Sequence, residues 1–114
     1  MTIDAKKMID LIDKLVEEVC ESTGKGVELV VKEMMKRAKE SEDYWLVDIM
    51  ESYLTDKKRK AQIEYCKKTE VPRFAPLKGH CFSCGRQIYD RIKYEKAANT
   101  LITSCPFCHV SYCD

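Results

Sequence analysis

The sequence predicts an α+β protein that is mostly α: an N-terminal bundle of three or four helices followed by a small C-terminal four-cysteine module. Three observations predict it. Apolar residues recur at helical spacing over residues 1–70. Two prolines and a glycine break that pattern between Val71 and Gly79. Two C-x2-C pairs stand beyond the break. The expected division is therefore 1–70 for the helical bundle, 71–79 for an extended strap and 80–114 for the cysteine module.

The first helix is expected from Thr2 to Ser22. Met8, Ile12, Leu15 and Val19 recur at steps of four, three and four, and Ile9 and Val16 widen the stripe. Thr2 or Asp4 can cap its first turn, and Gly24 supplies the left-handed residue that ends it. The pattern restarts after Gly24-Lys25-Gly26, with Val27, Val30, Val31, Met34, Met35 and Ala38 in phase to about Glu40. Core packing between two antiparallel helices explains this broad stripe better than an exposed Met-rich docking face. Ser41-Glu42-Asp43 opens a third helix whose face is Trp45, Leu46, Ile49, Met50, Tyr53 and Leu54. Ala61 and Tyr65 keep phase with Leu54, so residues 43–68 form either one long helix or two short ones. In the strap, Phe74 and Leu77 are expected to pin the chain to its neighbours.

Composition narrows the class. With 114 residues, 45% apolar and 34% charged, the chain is one compact domain or one small domain with a helical appendage. No apolar run approaches the roughly 20 residues of a membrane span, and the opening residues lack a signal-peptide pattern. Seven cysteines without export point to a reducing, intracellular compartment, where paired thiols hold metal more often than they form disulfides. The net charge of +1 conceals three blocks. Residues 1–56 carry 8 Lys/Arg against 14 Asp/Glu, residues 57–78 carry 8 against 2, and residues 79–114 carry 4 against 3. Such blocks either steer a charged partner or neutralise one another internally.

The chemistry lies in Cys81-Phe82-Ser83-Cys84 and Cys105-Pro106-Phe107-Cys108. A thiolate pair two residues apart can place both sulfurs about 2.3 Å from one ion, and two pairs complete a tetrahedron. Gly85 suits the turn after the first pair. The reading is one structural Zn2+ held by Cys81, Cys84, Cys105 and Cys108 in a zinc ribbon, with a rubredoxin-like iron site as the alternative. A segment this short buries too little apolar surface to fold without its metal. Arg86–Tyr89 and Thr100–Thr103 read as short strands, with a helical turn from Tyr94 to Asn99 between them. His80, His109 and Cys113 adjoin the ligand pairs but are expected outside the tetrahedron, while Cys20 and Cys66 read as small core residues. No phosphate-binding glycine loop, H-E-x-x-H or catalytic acid pair is present, so the chain reads as a binding protein and not an enzyme.

Val71-Pro-Arg-Phe-Ala-Pro-Leu-Lys-Gly-His-Cys-Phe-Ser-Cys-Gly-Arg86, followed by Glu95-Lys-Ala-Ala98, Leu101-Ile-Thr103 and Cys105-Pro-Phe-Cys-His109, resembles the zinc-ribbon ending of small phage and prophage proteins of Gram-positive bacteria. Within that group it is similar to the zinc-binding type II-A anti-CRISPR proteins, inhibitors of Cas9-type nucleases. The resemblance spans residues 71–114 and carries the family's ligands onto Cys81, Cys84, Cys105 and Cys108. It implies an inhibitor in the cytoplasm of the host bacterial cell that binds Cas9 and blocks DNA loading. The acidic helices suit that role, because Cas9 holds nucleic acid in positively charged channels. The alternative is a nucleic-acid-binding regulator using the basic segment 57–78, with Lys57, Lys58, Arg59 and Lys60 at its start and Tyr65 and Phe74 for stacking.

Overall fold

The structure, a computed structural model, describes residues 5–113. It is mostly helical: α1 (Ala5–Thr23), α2 (Val27–Glu40), α3 (Tyr44–Thr69) and the short α4 (Tyr94–Asn99), with one 3-10 turn at Ile88–Asp90. The expected caps Thr2 and Asp4 lie outside the described residues. Residues 43–68 resolve as a single helix rather than two. No described helix is long and apolar enough to cross a membrane.

Local chemistry sets the helix ends. Gly24, at φ 73°, donates its N–H to Cys20 O and closes α1. At the ends of the next two helices a non-glycine residue takes the same left-handed conformation, Glu42 after α2 and Glu70 after α3. Behind each, an N–H reaches back to the last turn, Asp43 to Ala38 O and Val71 to Cys66 O. These closures satisfy carbonyls that would otherwise be orphaned.

The chain packs as two compact units, Met1–Leu54 and Thr55–Asp114. In the first, Ile12 and Val16 of α1 meet Val30 and Val31 of α2 and Met50, Tyr53 and Leu54 of α3. The stripes were legible but not their centres. Leu15 is half exposed and Trp45 is 56% exposed, whereas Val47 is buried in its place. Each stripe was wider than one face, so packing selects among its members. An open groove of about 550 Å³ runs between α1, α2 and the start of α3, with Val19, Val30, Met34 and Leu46 in its wall.

The second unit has its own core: Ala75, Cys81, Ile88, Tyr89, Ile92, Ala97, Ile102 and Cys105, with Ala61 of α3 packed against it. The strap is pinned by Ala75, not by Leu77, which is 57% exposed. The two expected strands do not form. Gln87 accepts a bond from Tyr89 N and caps the 3-10 turn instead. Ile102 N donates to the side chain of Gln62 rather than to a neighbouring strand. What remains of β-structure among the described residues is two isolated antiparallel bridges, His80 with Gln87 and Ser104 with Ser111.

One buried polar contact in the first unit gives a test. The Tyr53 hydroxyl donates to Asp13 Oδ1 at 2.6 Å. Burial, then the Asp13 carboxylate, holds the phenol protonated well above its usual range. A raised folded value means this contribution is complete below the unfolded value of about 10 and is lost as pH rises beyond it. Tyr53→Phe should cost about 1 kcal/mol at neutral pH. In urea unfolding, the gap between wild type and variant should shrink once the pH passes about 10; a constant gap would contradict the assignment.

Candidate metal centre

Two loops of identical construction build the site. In the first, Cys81 N donates to Arg86 O at 3.0 Å and Gly85 N returns to Cys81 O at 2.9 Å. In the second, Cys105 N donates to Val110 O at 3.0 Å and His109 N returns to Cys105 O at 3.0 Å. Gly85 (φ 74°) and His109 (φ 64°) hold the same left-handed position, which tightens each loop around its leading cysteine. Backbone N–H groups then point at that sulfur: Ser83 N to Cys81 Sγ at 3.4 Å, and Phe107 N to Cys105 Sγ at 3.4 Å. Pro106 sits between Cys105 and Phe107 at a position that supplies neither of these bonds. The repeat is invisible in the residues because the loops share only their cysteines.

These loops bring the four predicted cysteines together, with all four sulfurs within 4.8 Å of one another. Cys81 Sγ lies 3.8 Å from Cys108 Sγ, and Cys84 Sγ 3.7 Å from Cys105 Sγ. A disulfide would need about 2.05 Å. A tetrahedron with arms of about 2.3 Å has edges of about 3.8 Å, so the residues fit a four-thiolate metal centre. The leading cysteines Cys81 and Cys105 are buried, whereas Cys84 and Cys108 are exposed. Burial alone would push the Cys81 thiol up, but the donors around it, the N–H groups of Cys84 and Ser83 among them, outweigh it and bring it down to about 6. At Cys84 the Arg86 N–H pulls the thiol down, but desolvation and the neighbouring sulfurs outweigh it and push it up to about 11. The two leading sulfurs are thus each met by backbone donors of their own loop.

His80 and His109 are both exposed and stand outside the four-sulfur cluster. Cys113 also lies outside it. Cys66 is buried, and that burial raises its thiol, the behaviour of an unreactive core residue. Arg86 and Arg91 place their guanidinium carbons 5.2 and 4.9 Å from the Phe107 ring centroid, and Arg91 also donates to Pro106 O.

Comparison of the chain with protein-family models, with curated proteins and with solved structures finds no match. The site is therefore read from its own geometry.

The basic run on α3 is only partly the solvated face its composition suggests. Lys58 is buried and donates to Tyr89 O at 2.9 Å. Arg59 and Lys60 pair with Asp56 at 2.7 and 3.0 Å. Four residues on, Gln62 is fully buried and makes three bonds into the cysteine segment. Its Nε2 donates to Ala97 O at 2.6 Å and Thr100 O at 2.9 Å, and its Oε1 accepts from Ile102 N at 2.8 Å. Sequence reasoning missed Gln62. The signal was there, since Leu54, Lys58, Gln62 and Cys66 form one unbroken i, i+4 row on α3 and all four are buried.

Gln62→Met keeps the volume but leaves two carbonyls and one N–H unpaired, which should cost about 3 kcal/mol or more. Gln62→Glu should be worse, because a carboxylate oxygen would face the carbonyls of Ala97 and Thr100. Urea midpoints should therefore fall from wild type to Met to Glu; a Glu variant as stable as wild type would refute this role.

Proposed function

We propose that Cys81, Cys84, Cys105 and Cys108 bind one zinc ion as the closed structural centre of a zinc ribbon. The chain is a binding protein whose partner is a Cas9-type nuclease of the host bacterium. The observation that supports the metal is the sulfur spacing of 3.7–3.8 Å, the edge length of a tetrahedral thiolate site. Zinc is favoured over iron because it is the usual occupant of closed four-cysteine sites. Four sulfurs leave no coordination position for a reacting water, which speaks for a structural role and against catalysis. The paired loops, each closed by one antiparallel bridge, support the ribbon reading.

The partner rests on two supports. One is the resemblance of residues 71–114 to the ribbon of zinc-binding anti-CRISPR proteins. The other is the charge of the first unit, in which residues 1–54 carry 8 Lys/Arg against 13 Asp/Glu. An acidic helical surface suits a channel built to hold nucleic acid and would exclude target DNA from it. The nucleic-acid alternative is less well supported, because Lys58 is buried and Arg59 and Lys60 are engaged by Asp56.

Elemental analysis tests the metal. Cys81→Ser and Cys105→Ser should each lose the zinc, whereas Cys20→Ser and Cys66→Ser should keep one per chain; the reverse pattern would overturn the ligand set. Chelation should expose residues 55–69 of α3 to protease together with the cysteine segment, because Lys58 and Gln62 lose the fold that satisfies them. For the partner, purified protein is mixed with guide-loaded Cas9 orthologues and a matched DNA target. Blocked cleavage with co-elution is expected of at least one orthologue. Full cleavage at large molar excess with no co-elution throughout would sink the inhibitor reading, and steeply salt-dependent DNA binding would replace it with the regulator.

A further inference from the structure

Tyr112, packed against the core that holds the leading cysteines, carries a polar atom that its surroundings leave unsatisfied. Its hydroxyl is buried without a hydrogen-bond partner. The ring packs against the core that contains Cys81 and Cys105. It is held from two sides, by the bond from Tyr112 N to Thr103 O at 2.8 Å and by the Phe82 ring at 5.7 Å between centroids. Those two contacts set the ring beside the two leading cysteines: Phe82 directly follows Cys81, and Thr103 lies two residues before Cys105. An unpaired phenol O–H in a protein interior is costly. A metal-bound thiolate is the acceptor that removes the cost, because charge-assisted bonds to an anion are stronger than neutral ones.

We propose that Tyr112 is a positioning residue of the metal centre, its hydroxyl donating to the buried thiolates of Cys81 and Cys105. This rests on the metal reading above and extends it from the four ligands to what tunes them. Donation draws electron density from the two buried sulfurs, which already accept backbone N–H bonds from Ser83, Phe107 and Cys108. It leaves the exposed sulfurs of Cys84 and Cys108 as the electron-rich pair. Partners of this kind orient metal ligands, and their removal typically weakens metal affinity by about 10- to 100-fold.

Tyr89 supplies an internal control. Its hydroxyl is likewise buried and unpartnered. The groups acting on it, though, are Arg59, Arg73 and Cys66, none of them a proposed ligand.

The test loads the full chain with cobalt(II) and reads the sulfur-to-cobalt charge-transfer bands, alongside zinc affinity by competition with a chelator. Tyr112→Phe should move the charge-transfer bands to lower energy and weaken zinc by roughly 10-fold, whereas Tyr89→Phe should do neither. A ring-fluorinated tyrosine at position 112 keeps the shape and donates more strongly, so it should move the bands the opposite way. That arm decides the matter if Tyr112→Phe does not fold. Unchanged bands in the fluorinated protein, or in a folded Tyr112→Phe, would overturn the role of Tyr112 while leaving the metal centre intact. Failure of the wild-type chain to bind cobalt or zinc would instead remove the metal reading itself.

Discussion

Four sulfurs within 4.8 Å of one another set the terms for everything after residue 80. Thiolates at that separation repel strongly, and thiols would waste the donors aimed at them. The two loops answer with geometry before any cation is considered. Each spends its backbone N–H groups on its leading cysteine and turns through one left-handed residue to do so. The Ile88–Asp90 turn, the bridges and the placement of Tyr112 all follow from keeping those loops closed and facing each other.

What those loops lack is a hydrophobic interior large enough to hold them, and α3 provides the missing wall. Its contribution is unusual in being polar. Gln62 binds backbone groups at Ala97, Thr100 and Ile102, and Lys58 binds the carbonyl of Tyr89, so irregular backbone that has no strand partner finds one in side chains. Such an arrangement tolerates little substitution, because every atom removed leaves a buried partner exposed to the cost of going unpaired.

Much of this was legible in the residues, and what was not has a common cause. Gly24 and the strap prolines act locally and end their helices, and the C-x2-C spacing brings its four cysteines close together. The helical turn at Tyr94–Asn99 lies where the pattern put it. The i, i+4 row marked the face on which Lys58 and Gln62 lie, but not their bonds, because polar residues on a helix read as solvent-facing unless their distant partners are known. Those partners lie 31 and 35 to 40 positions away in the chain. The strand expected at Thr100–Thr103 failed for the same reason, since the bond that would have built it at Ile102 was diverted to a side chain.

The division of the chain inside α3 also changes what counts as a module. By composition, the natural place to cut is the proline strap, which separates helix from cysteines cleanly on paper. A fragment released there would carry all four proposed ligands and yet be stripped of the side chains that close its backbone. The compact unit that holds the cysteines begins instead at Thr55, inside α3. The side chains that close the cysteine segment therefore begin half a helix upstream of it, and a C-x2-C pattern alone understates the length of sequence that supports the site.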